Sequence, residues 1–446
     1  MSHMATTHTD GRRMALDDVK PVESAAPPGF GYRWTICALI FAATTINYVD
    51  RQVLGILAPT LTRELGWSET DYGAMTSWFS FAYAIGFLGA GRLMDRIGVK
   101  KGYAIAIVAW SFAAMSHALA STASGFSYAR AALGLGESGN FPAAIKTTAE
   151  WFPRRERAFA TGIFNAGTNV GALVAAWSVP LIALSYGWRW AFIGTGALGF
   201  LWLVVWLVVY EVPERQKKLS AAELAYIRSD QDSAVKQVSW LEVLRHRQAW
   251  AFVVGKFLTD PVWWFYLFWL PKFLDASFGV KLGGLTAPLL VIYLVADVGS
   301  VGGGWLSGAM MKTGMSLNRA RKLTMLIAAL LIVPTMFAPQ VSSMWSAVAL
   351  VSLAAAAHQW WSANMFTTAS DMFPRRAVAS VVGFGGFAGA MGGVIFQRLV
   401  GYMLQRDPTA YRYIFVFCGL IYIVALGLIH LIVPRLDPAQ LDGAAV

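Results

Sequence analysis

Charged residues are scarce in this sequence. Asp, Glu, Lys and Arg together make up 14% of the 446 residues, against about 25% in soluble domains. Hydrophobic residues make up 57% of the chain and fall into long runs. This balance excludes an ordinary soluble domain and indicates a helical protein that crosses a membrane several times.

Cysteine is almost absent, and so are the short motifs of common enzymes. The two cysteines, Cys37 and Cys418, both lie in apolar runs, which excludes a disulfide framework and a cysteine-ligated metal site. The sequence contains no HExxH motif, phosphate-binding loop, GxSxG motif or paired CxxC. We therefore expect neither an enzyme nor a bound cofactor or metal.

The N-terminal region lacks the short apolar core of a cleavable signal peptide. Residues 1–31 are polar and contain Pro21, Pro27 and Pro28. We interpret this region as a disordered cytoplasmic tail.

The hydrophobic runs predict twelve transmembrane helices, because a bilayer core about 30 Å thick needs about 20 apolar helical residues. The spans are Trp34–Leu61, Tyr72–Leu93, Tyr103–Ala120, Phe126–Ala149, Ala158–Leu184, Trp190–Tyr210, Trp250–Leu274, Leu285–Met311, Leu323–Phe337, Met344–Met372, Val378–Tyr402 and Tyr413–Val433. A charged segment, 212–247, is too polar to span and divides the chain. We predict six-helix bundles over 32–211 and 248–434, with a cytoplasmic linker between them and a cytoplasmic tail over 435–446.

The distribution of basic residues predicts the orientation. The net charge of +11 would favour nucleic-acid binding in a soluble protein, but here the basic residues sit in loops and no nucleic-acid partner is expected. The loops after spans two, four, eight and ten contain Arg92, Arg96, Lys100, Lys101, Arg154, Arg155, Arg157, Lys312, Arg319, Arg321, Lys322, Arg375 and Arg376. The positive-inside rule then places these loops and both termini in the cytoplasm.

An internal repeat relates the two halves. The sequence Phe152-Pro153-Arg154-Arg155 recurs at residues 373–376, and at the same offset Gly162 matches Gly383 and Gly171 matches Gly392. Spans four and five therefore correspond to spans ten and eleven. Parallel repeats of this kind are typical of transporters with a central site between two halves.

Two adjacent charges, Asp50 and Arg51, lie in the middle of the first predicted span. A charge at that depth costs about 2.5–3.5 kcal/mol on insertion scales. Neighbouring residues point about 100° apart on a helix and pair poorly with each other. We therefore expect Asp50 and Arg51 to face different partners and to be functional.

A second interior acid, Glu137, lies mid-span among Gly134, Gly136 and Gly139. Small residues let helices approach closely, and a carboxyl in the resulting dry site can take up a proton near neutral pH. The alternative is a salt bridge between Glu137 and a buried arginine that only holds helices together. Arg130 lies seven residues earlier, on the same helical face and about 10 Å away.

The loop Gly91-Arg92-Leu93-Met94-Asp95-Arg96-Ile97-Gly98-Val99-Lys100-Lys101 resembles the G-x-L-x-D-R-x-G-x-K-K signature of the major facilitator superfamily. Within that superfamily, the stretches 47–51, 133–142 and 150–153 resemble the anion:cation symporter branch. The stretches 256–266 and 358–364 resemble its hexuronate, or sugar-acid, transporters. The resemblance covers about residues 32–434.

The resemblance implies roles for several residues. It associates Asp50 and Glu137 with proton coupling, Arg51 with the substrate carboxylate, and Tyr48 and Tyr83 with substrate contact. For Arg130, substrate binding, pairing with Asp50 or Glu137, and a purely structural role all stay open. The loop-signature residues Asp95 and Arg96 are expected to act in gating or structure.

Further polar and aromatic side chains inside the predicted spans complete the candidate set. As substrate contacts we select Asn169, Lys256, Trp264, His358, Gln359 and Asn364. Lys256 and Asp260 are spaced i, i+4 and can pair, and a lone helical histidine is more often structural than a ligand. Asp260 and Asp297 are assigned to gating or structure.

Together these observations predict a proton-coupled symporter that imports a sugar-acid anion by alternating access, with a hexuronate such as glucuronate or galacturonate as substrate. We expect a monomer in a bacterial inner membrane, with protons as the coupling ion and sodium as the other possibility. The main alternative is the same fold carrying another organic anion: an aldonate, a dicarboxylate or an aromatic acid. A non-transporting sensor is the remote alternative.

Overall fold

The computed structural model describes residues 31–229 and 240–441. Almost all of the predicted N-terminal tail, residues 230–239 of the linker and residues 442–446 lie outside this range. The described residues form fifteen α-helices and no strand. The helices are α1 (Tyr32–Leu65), α2 (Glu69–Ile97), α3 (Val99–Ser116), α4 (Ala123–Glu137), α5 (Asn140–Trp151), α6 (Arg154–Tyr186), α7 (Trp188–Val209), α8 (Ala221–Arg228), α9 (Trp240–Leu244), α10 (Arg247–Phe278), α11 (Thr286–Lys312), α12 (Leu317–Ile332), α13 (Met344–Met372), α14 (Arg375–Arg406) and α15 (Tyr411–Ile432).

Twelve long helical units follow one another in the predicted order, with α4 and α5 counted as one unit. By length and composition alone, seven helices of the described residues could cross a membrane: α3, α6, α7, α11, α12, α14 and α15. The other five units are α1, α2, α4–α5, α10 and α13. They have lower hydropathy because they contain most of the buried polar residues of the protein interior.

The fourth predicted span, Phe126–Ala149, is interrupted in the structure. Helix α4 ends at Glu137, and α5 begins at Asn140. Pro142 causes part of this break, since its ring would collide with the carbonyl four residues earlier in a continuous helix. A second departure concerns the ninth span, Leu323–Phe337, where α12 ends at Ile332 and continues as a 3₁₀ helix over Val333–Gln340 that contains Pro334 and Pro339.

The two halves repeat the same packing scheme, as the sequence repeat predicted. Helix α1 packs on α6 as α10 packs on α14, α2 on α4 as α11 on α13, and α3 on α7 as α12 on α15. The repeated motif also adopts the same backbone in both halves. Phe152 and Phe373 are extended, and Pro153 and Pro374 form the N-caps of α6 and α14.

The halves contact each other on the side opposite the basic loops, which we call the distal face. Here α2 meets α14 so closely that a Cβ atom on Gly73 would lie 3.1 Å from the Cα of Gly401. Two ion pairs also join the halves: Arg63 with Asp275 at 2.5 Å, and Lys272 with Glu69 at 2.7 Å. The distal face is therefore closed.

The opposite side, which we call the basic face, contains several glycines with open space beside them. Gly89 and Gly91 near the end of α2, Gly162 in α6, and Gly383 and Gly386 in α14 have open space where a side chain would be. We infer that a cleft separates the halves here, because the two ion pairs that join them lie on the distal face.

Linker helix α8 is attached to the basic face of the N-terminal half. The carboxylate of Glu223 accepts hydrogen bonds from the backbone N–H groups of Tyr32 and Arg33 at 3.0 and 3.1 Å, and from Arg33 Nη1 at 3.0 Å. It thereby satisfies otherwise unpaired donors at the start of α1. Glu156 of α6 binds the other edge of the Arg33 guanidinium at 2.9 Å.

Replacing Glu223 should destabilise this junction. We expect Glu223→Ala to lower the free energy of unfolding by about 1.5–3 kcal/mol, because it removes hydrogen bonds to a charged group that is buried. Thermal unfolding of the purified protein in detergent measures the change. Glu214→Ala is the matched control in the same linker; its pair with Arg228 is half exposed and should contribute less than about 1 kcal/mol. Equal losses in the two variants would contradict the assignment.

A bulky residue at Gly73 should force the distal face open. We expect Gly73→Trp to favour the conformation that is closed at the basic face, because an indole cannot fit against Gly401. A cysteine at Gly162 reports the change, since Cys37 and Cys418 are buried and should react little with maleimide. Labelling of Gly162→Cys should fall when Gly73→Trp is also present. It should persist when Gly89→Trp is present instead, because Gly89 lies on the same helix as Gly73 but has open space beside it. Unchanged labelling with Gly73→Trp would show that this contact does not control the cleft.

Candidate functional site

A buried ion pair occupies the centre of the N-terminal half. Both Nε and Nη2 of Arg51 lie 2.8 Å from Oε2 of Glu137, and the two side chains are 2% and 0% exposed. Asn47, one turn before Arg51 on α1, accepts a further hydrogen bond at 3.4 Å. The second carboxylate oxygen of Glu137 has no hydrogen-bond partner.

Aromatic rings surround the Arg51 guanidinium. Its central carbon lies 4.4 Å from the ring centroid of Tyr48, 4.9 Å from Tyr83, 5.2 Å from Phe79 and 5.4 Å from Trp264. Cations within about 6 Å of such rings are attracted to the ring faces. Three of the rings come from the N-terminal half, whereas Trp264 comes from α10, so both halves contact this arginine.

Asp50 and Arg130 are neighbours of this cluster. Asp50 faces Thr195 of α7, and neither of its carboxylate oxygens accepts a hydrogen bond of normal geometry. Arg130 donates one bond, to the backbone carbonyl of Arg51 at 3.1 Å, while its Nε and Nη1 have no partner. Asp50 and Arg51 thus point in different directions, as their adjacent positions predicted.

The close packing of α4 places Glu137. A Cβ atom on Gly136 would lie 2.7 Å from the backbone nitrogen of Trp110, so only glycine lets α4 approach α3 this closely. Glu137 is the last residue of α4 before the break. The polar residues of this site therefore lie at an interruption of the helix, which a membrane protein tolerates because the backbone there is buried in protein.

The predicted residues of α10 form a pair. Lys256 Nζ binds Asp260 at 2.8 Å, as the i, i+4 spacing predicted, and lies 4.5 Å from the ring centroid of Phe366. Both side chains are largely buried.

The predicted residues of α13 have different surroundings. His358 Nδ1 lies 2.5 Å from the Tyr422 hydroxyl, and its ring stacks on Trp263. Asn364 donates to the backbone carbonyls of Gly303 at 3.2 Å and Trp360 at 3.0 Å, which ties α13 to α11. These contacts lie within the C-terminal half. Gln359 is half-buried.

The remaining predicted residues lie at junctions between helices. Asn169 of α6 donates to Asp297 of α11, which connects the two halves. Asp95, in the loop signature, binds Lys146 of α5 at 2.6 Å, whereas its neighbour Arg96 is exposed on the basic face.

Sequence reasoning missed one residue that the structure brings to the site and one that it places on the distal face. Phe79 lies under both guanidiniums, 5.2 Å from that of Arg51 and 5.3 Å from that of Arg130. Its position one turn before Tyr83 on α2 was the available signal. Lys272, which pairs with Glu69 on the distal face, was also missed. The available signal was a cation inside the seventh predicted span.

A comparison with protein families identifies the fold. The model described as Major Facilitator Superfamily matches residues 40–397. The chain belongs to this superfamily. It is therefore a multi-pass membrane protein with the predicted two-half helical fold, in a class of transporters and not of enzymes.

Named relatives are transporters of sugar acids. The hexuronate transporter of Escherichia coli (strain K12) is 33% identical over 377 residues, covering 83% of this chain and 87% of that protein. The galacturonate transporter of Dickeya chrysanthemi is 34% identical over 309 residues, covering 68% and 90%. The D-galactonate transporter of Escherichia coli O6:H1 is 31% identical over 422 residues, covering 91% and 95%.

Solved structures share the architecture. A bacterial homologue of the human lysosomal transporter Spinster, in an inward-facing and occupied conformation, gives a TM-score of 0.72 at 18% identity and covers 92% of this chain and 99% of its own. The xylose transporter XylE of Escherichia coli, in an inward-open conformation, gives 0.69 at 15% identity and covers 93% and 98%. At these identities the likeness concerns the fold alone.

Removing one member of the central ion pair should be costly. We expect Glu137→Ala to lower the free energy of unfolding by about 3–5 kcal/mol, because it leaves the Arg51 charge buried without a counter-charge. Arg51→Met combined with Glu137→Ala should recover most of this loss, since no charge then stays in the dry interior. Thermal unfolding in detergent compares the variants. A double variant as unstable as Glu137→Ala alone would mean that the cost arises from lost packing.

Proposed function

We propose that this protein is a proton-coupled symporter that imports a sugar-acid anion, with a hexuronate such as glucuronate or galacturonate as its substrate. The sugar-acid class is supported by the hexuronate, galacturonate and D-galactonate transporters among its relatives. The observation that carries the mechanism is the buried pair of Arg51 and Glu137 beneath aromatic rings of both halves.

Arg51 is the group best suited to hold the substrate carboxylate. A guanidinium keeps its charge at any working pH and can bind a carboxylate through two parallel hydrogen bonds. In the structure those donors are occupied by Glu137, which is itself a carboxylate. Substrate and Glu137 therefore compete for the same cation.

This competition provides a reason for proton coupling. When Glu137 takes up a proton it no longer neutralises Arg51, and an incoming anion restores neutrality in the dry site. When Glu137 loses the proton it reclaims Arg51 and displaces the anion. A closed intermediate with an unbalanced charge would be costly in hydrocarbon, so one proton through Glu137 accompanies each monovalent anion.

Asp50 is the second proton-coupling candidate. Its carboxylate is buried without a hydrogen-bond partner, and a buried group in that state favours its neutral form. Arg130, whose guanidinium has two unpartnered nitrogens nearby, would stabilise the charged form after proton release.

The arrangement of the cations favours a substrate with one carboxylate. Lys256 is already neutralised by Asp260, and Arg130 is the counter-charge proposed for Asp50, which leaves Arg51 as the cation for the cargo. Tyr48, Tyr83 and Trp264 offer ring faces to the apolar side of a sugar, and the two tyrosines add hydroxyls for its polar groups. A monocarboxylate such as an aldonate fits the same charge balance and is the alternative cargo.

The proposed orientation follows from the basic loops. We place the basic face on the cytoplasmic side of a bacterial inner membrane. Both termini are then cytoplasmic, and the cleft releases substrate inward. Rocking of the halves would then break the distal ion pairs and the Asn169–Asp297 contact, and would close the cleft.

Counterflow of radiolabelled glucuronate in proteoliposomes tests cargo and coupling separately, because exchange needs no gradient. We expect wild type to exchange the label and to accumulate it when an inward proton gradient is imposed. Glu137→Gln keeps the side-chain shape without a titratable group, and should exchange the label but fail to accumulate it. Unlabelled galacturonate, galactonate, a dicarboxylate and glucose, added as competitors, rank the cargo classes.

Each failure has a distinct meaning. Absence of wild-type exchange with glucuronate would refute the hexuronate assignment. Proton-driven accumulation by Glu137→Gln would refute the role of Glu137 and direct attention to Asp50→Asn. Arg51→Lys keeps the charge without the planar fork and is the matched control for binding geometry.

A further inference from the structure

A groove lies between α12 and α15 of the C-terminal half, away from the cleft between the halves. Its volume is about 410 Å³, within the range of about 300–1,000 Å³ that is typical of ligand sites. It sits at the basic-face end of the two helices, where the polar loop before α12 meets the start of the apolar span. The central site does not use any of its lining residues.

The wall of the groove is apolar. Leu323 and Leu326 of α12 and Leu426 of α15 line it. Leu323 and Leu326 are each 37% exposed, and Leu330 further along α12 is 53% exposed. This side of α12 therefore faces the hydrocarbon region of the membrane, and the groove can receive an alkyl chain.

The mouth of the groove is basic. Arg319, Lys322 and His430 line it, and no acidic residue does so. Lys322 Nζ donates to His430 Nδ1 at 3.0 Å and to the backbone carbonyls of Val433 and Pro434 at 2.8 and 2.7 Å. All three acceptors are uncharged, so these bonds fix the ammonium group in place without neutralising it.

The imidazole adds a donor to this mouth. Because an ammonium group can only donate, Nδ1 of His430 is the acceptor in its bond to Lys322. The neutral ring therefore has its proton on Nε2. Two cations and an imidazole N–H at the membrane surface, above an apolar groove, are complementary to a phosphate with an acyl chain attached.

We propose that this groove binds an anionic phospholipid, with the headgroup phosphate at Arg319, Lys322 and His430 and an acyl chain against Leu323, Leu326 and Leu426. The bound lipid would tie α12 to α15. It would also stabilise the segment after α15, which Lys322 and Asn318 hold through the backbone of residues 433–436. Lipid occupancy should therefore stabilise the C-terminal half.

Native mass spectrometry and thermal unfolding in detergent, with phosphatidylglycerol or phosphatidylcholine of the same chains added, test this site. We expect phosphatidylglycerol to bind more tightly and to raise the unfolding midpoint more. Arg319→Gln should weaken phosphatidylglycerol binding about fivefold, the factor that corresponds to about 1 kcal/mol for one basic residue near the surface. Arg319 is exposed, so this variant should fold normally.

Two further variants and one small ligand complete the test. Leu326→Trp fills the groove and should weaken binding while leaving the charge unchanged. Lys101→Gln removes an exposed cation from the same face of the other half and should bind lipid as wild type does. The proposal is overturned if Lys101→Gln weakens binding as much as Arg319→Gln, if phosphatidylcholine binds equally well, or if inorganic phosphate alone reproduces the shift in unfolding midpoint.

Discussion

The centre of this structure depends on the buried ion pair between Arg51 and Glu137. Arg51 cannot lose its charge, and among the described residues Glu137 is the only carboxylate that forms an ion pair with it. The glycines of α4, the break after Glu137 and the aromatic rings around the guanidinium all serve to hold this pair away from water. The pair is bonded through one carboxylate oxygen only, because Oε1 of Glu137 is unpartnered and both guanidinium contacts fall on Oε2.

The aromatic residues around this site come from both halves of the protein. Tyr48, Phe79 and Tyr83 move with the N-terminal half, and Trp264 moves with the C-terminal half. A rocking motion that separates the halves on the distal face would withdraw Trp264 from Arg51 or shift it across the guanidinium. The environment of the charged pair is therefore coupled to the conformation of the protein without any long chain of contacts.

The fold was predictable from the sequence because hydrophobic length, basic loops and the repeated Phe-Pro-Arg-Arg motif all reflect local constraints. The break in the fourth span was not predicted, although Pro142 signalled it, because the apolar run continues across it.

The candidate site was predictable in its residue types. A salt bridge between Glu137 and a buried arginine was one of the alternatives, but its partner Arg51 was not predicted, since that depends on how α1 and α4 are rotated in three dimensions. For the same reason the spacing of Lys256 and Asp260 on one helix revealed their ion pair, whereas the ties of His358 to Tyr422 and of Lys272 to Glu69 depend on other helices and stayed hidden.

The two ion pairs of the distal face differ in their access to water. The Arg63 side chain is 47% exposed and its partner Asp275 is 16% exposed, whereas Lys272 is 6% exposed and its partner Glu69 is 27% exposed. Dissolved salt screens exposed charges over a Debye length of about 8 Å at physiological ionic strength, and buried pairs much less. Salt dissolved on the distal side would therefore weaken the Arg63–Asp275 contact more than the Lys272–Glu69 contact. The contact between the halves on the distal face thus combines one ion pair that is sensitive to dissolved salt and one that is less so.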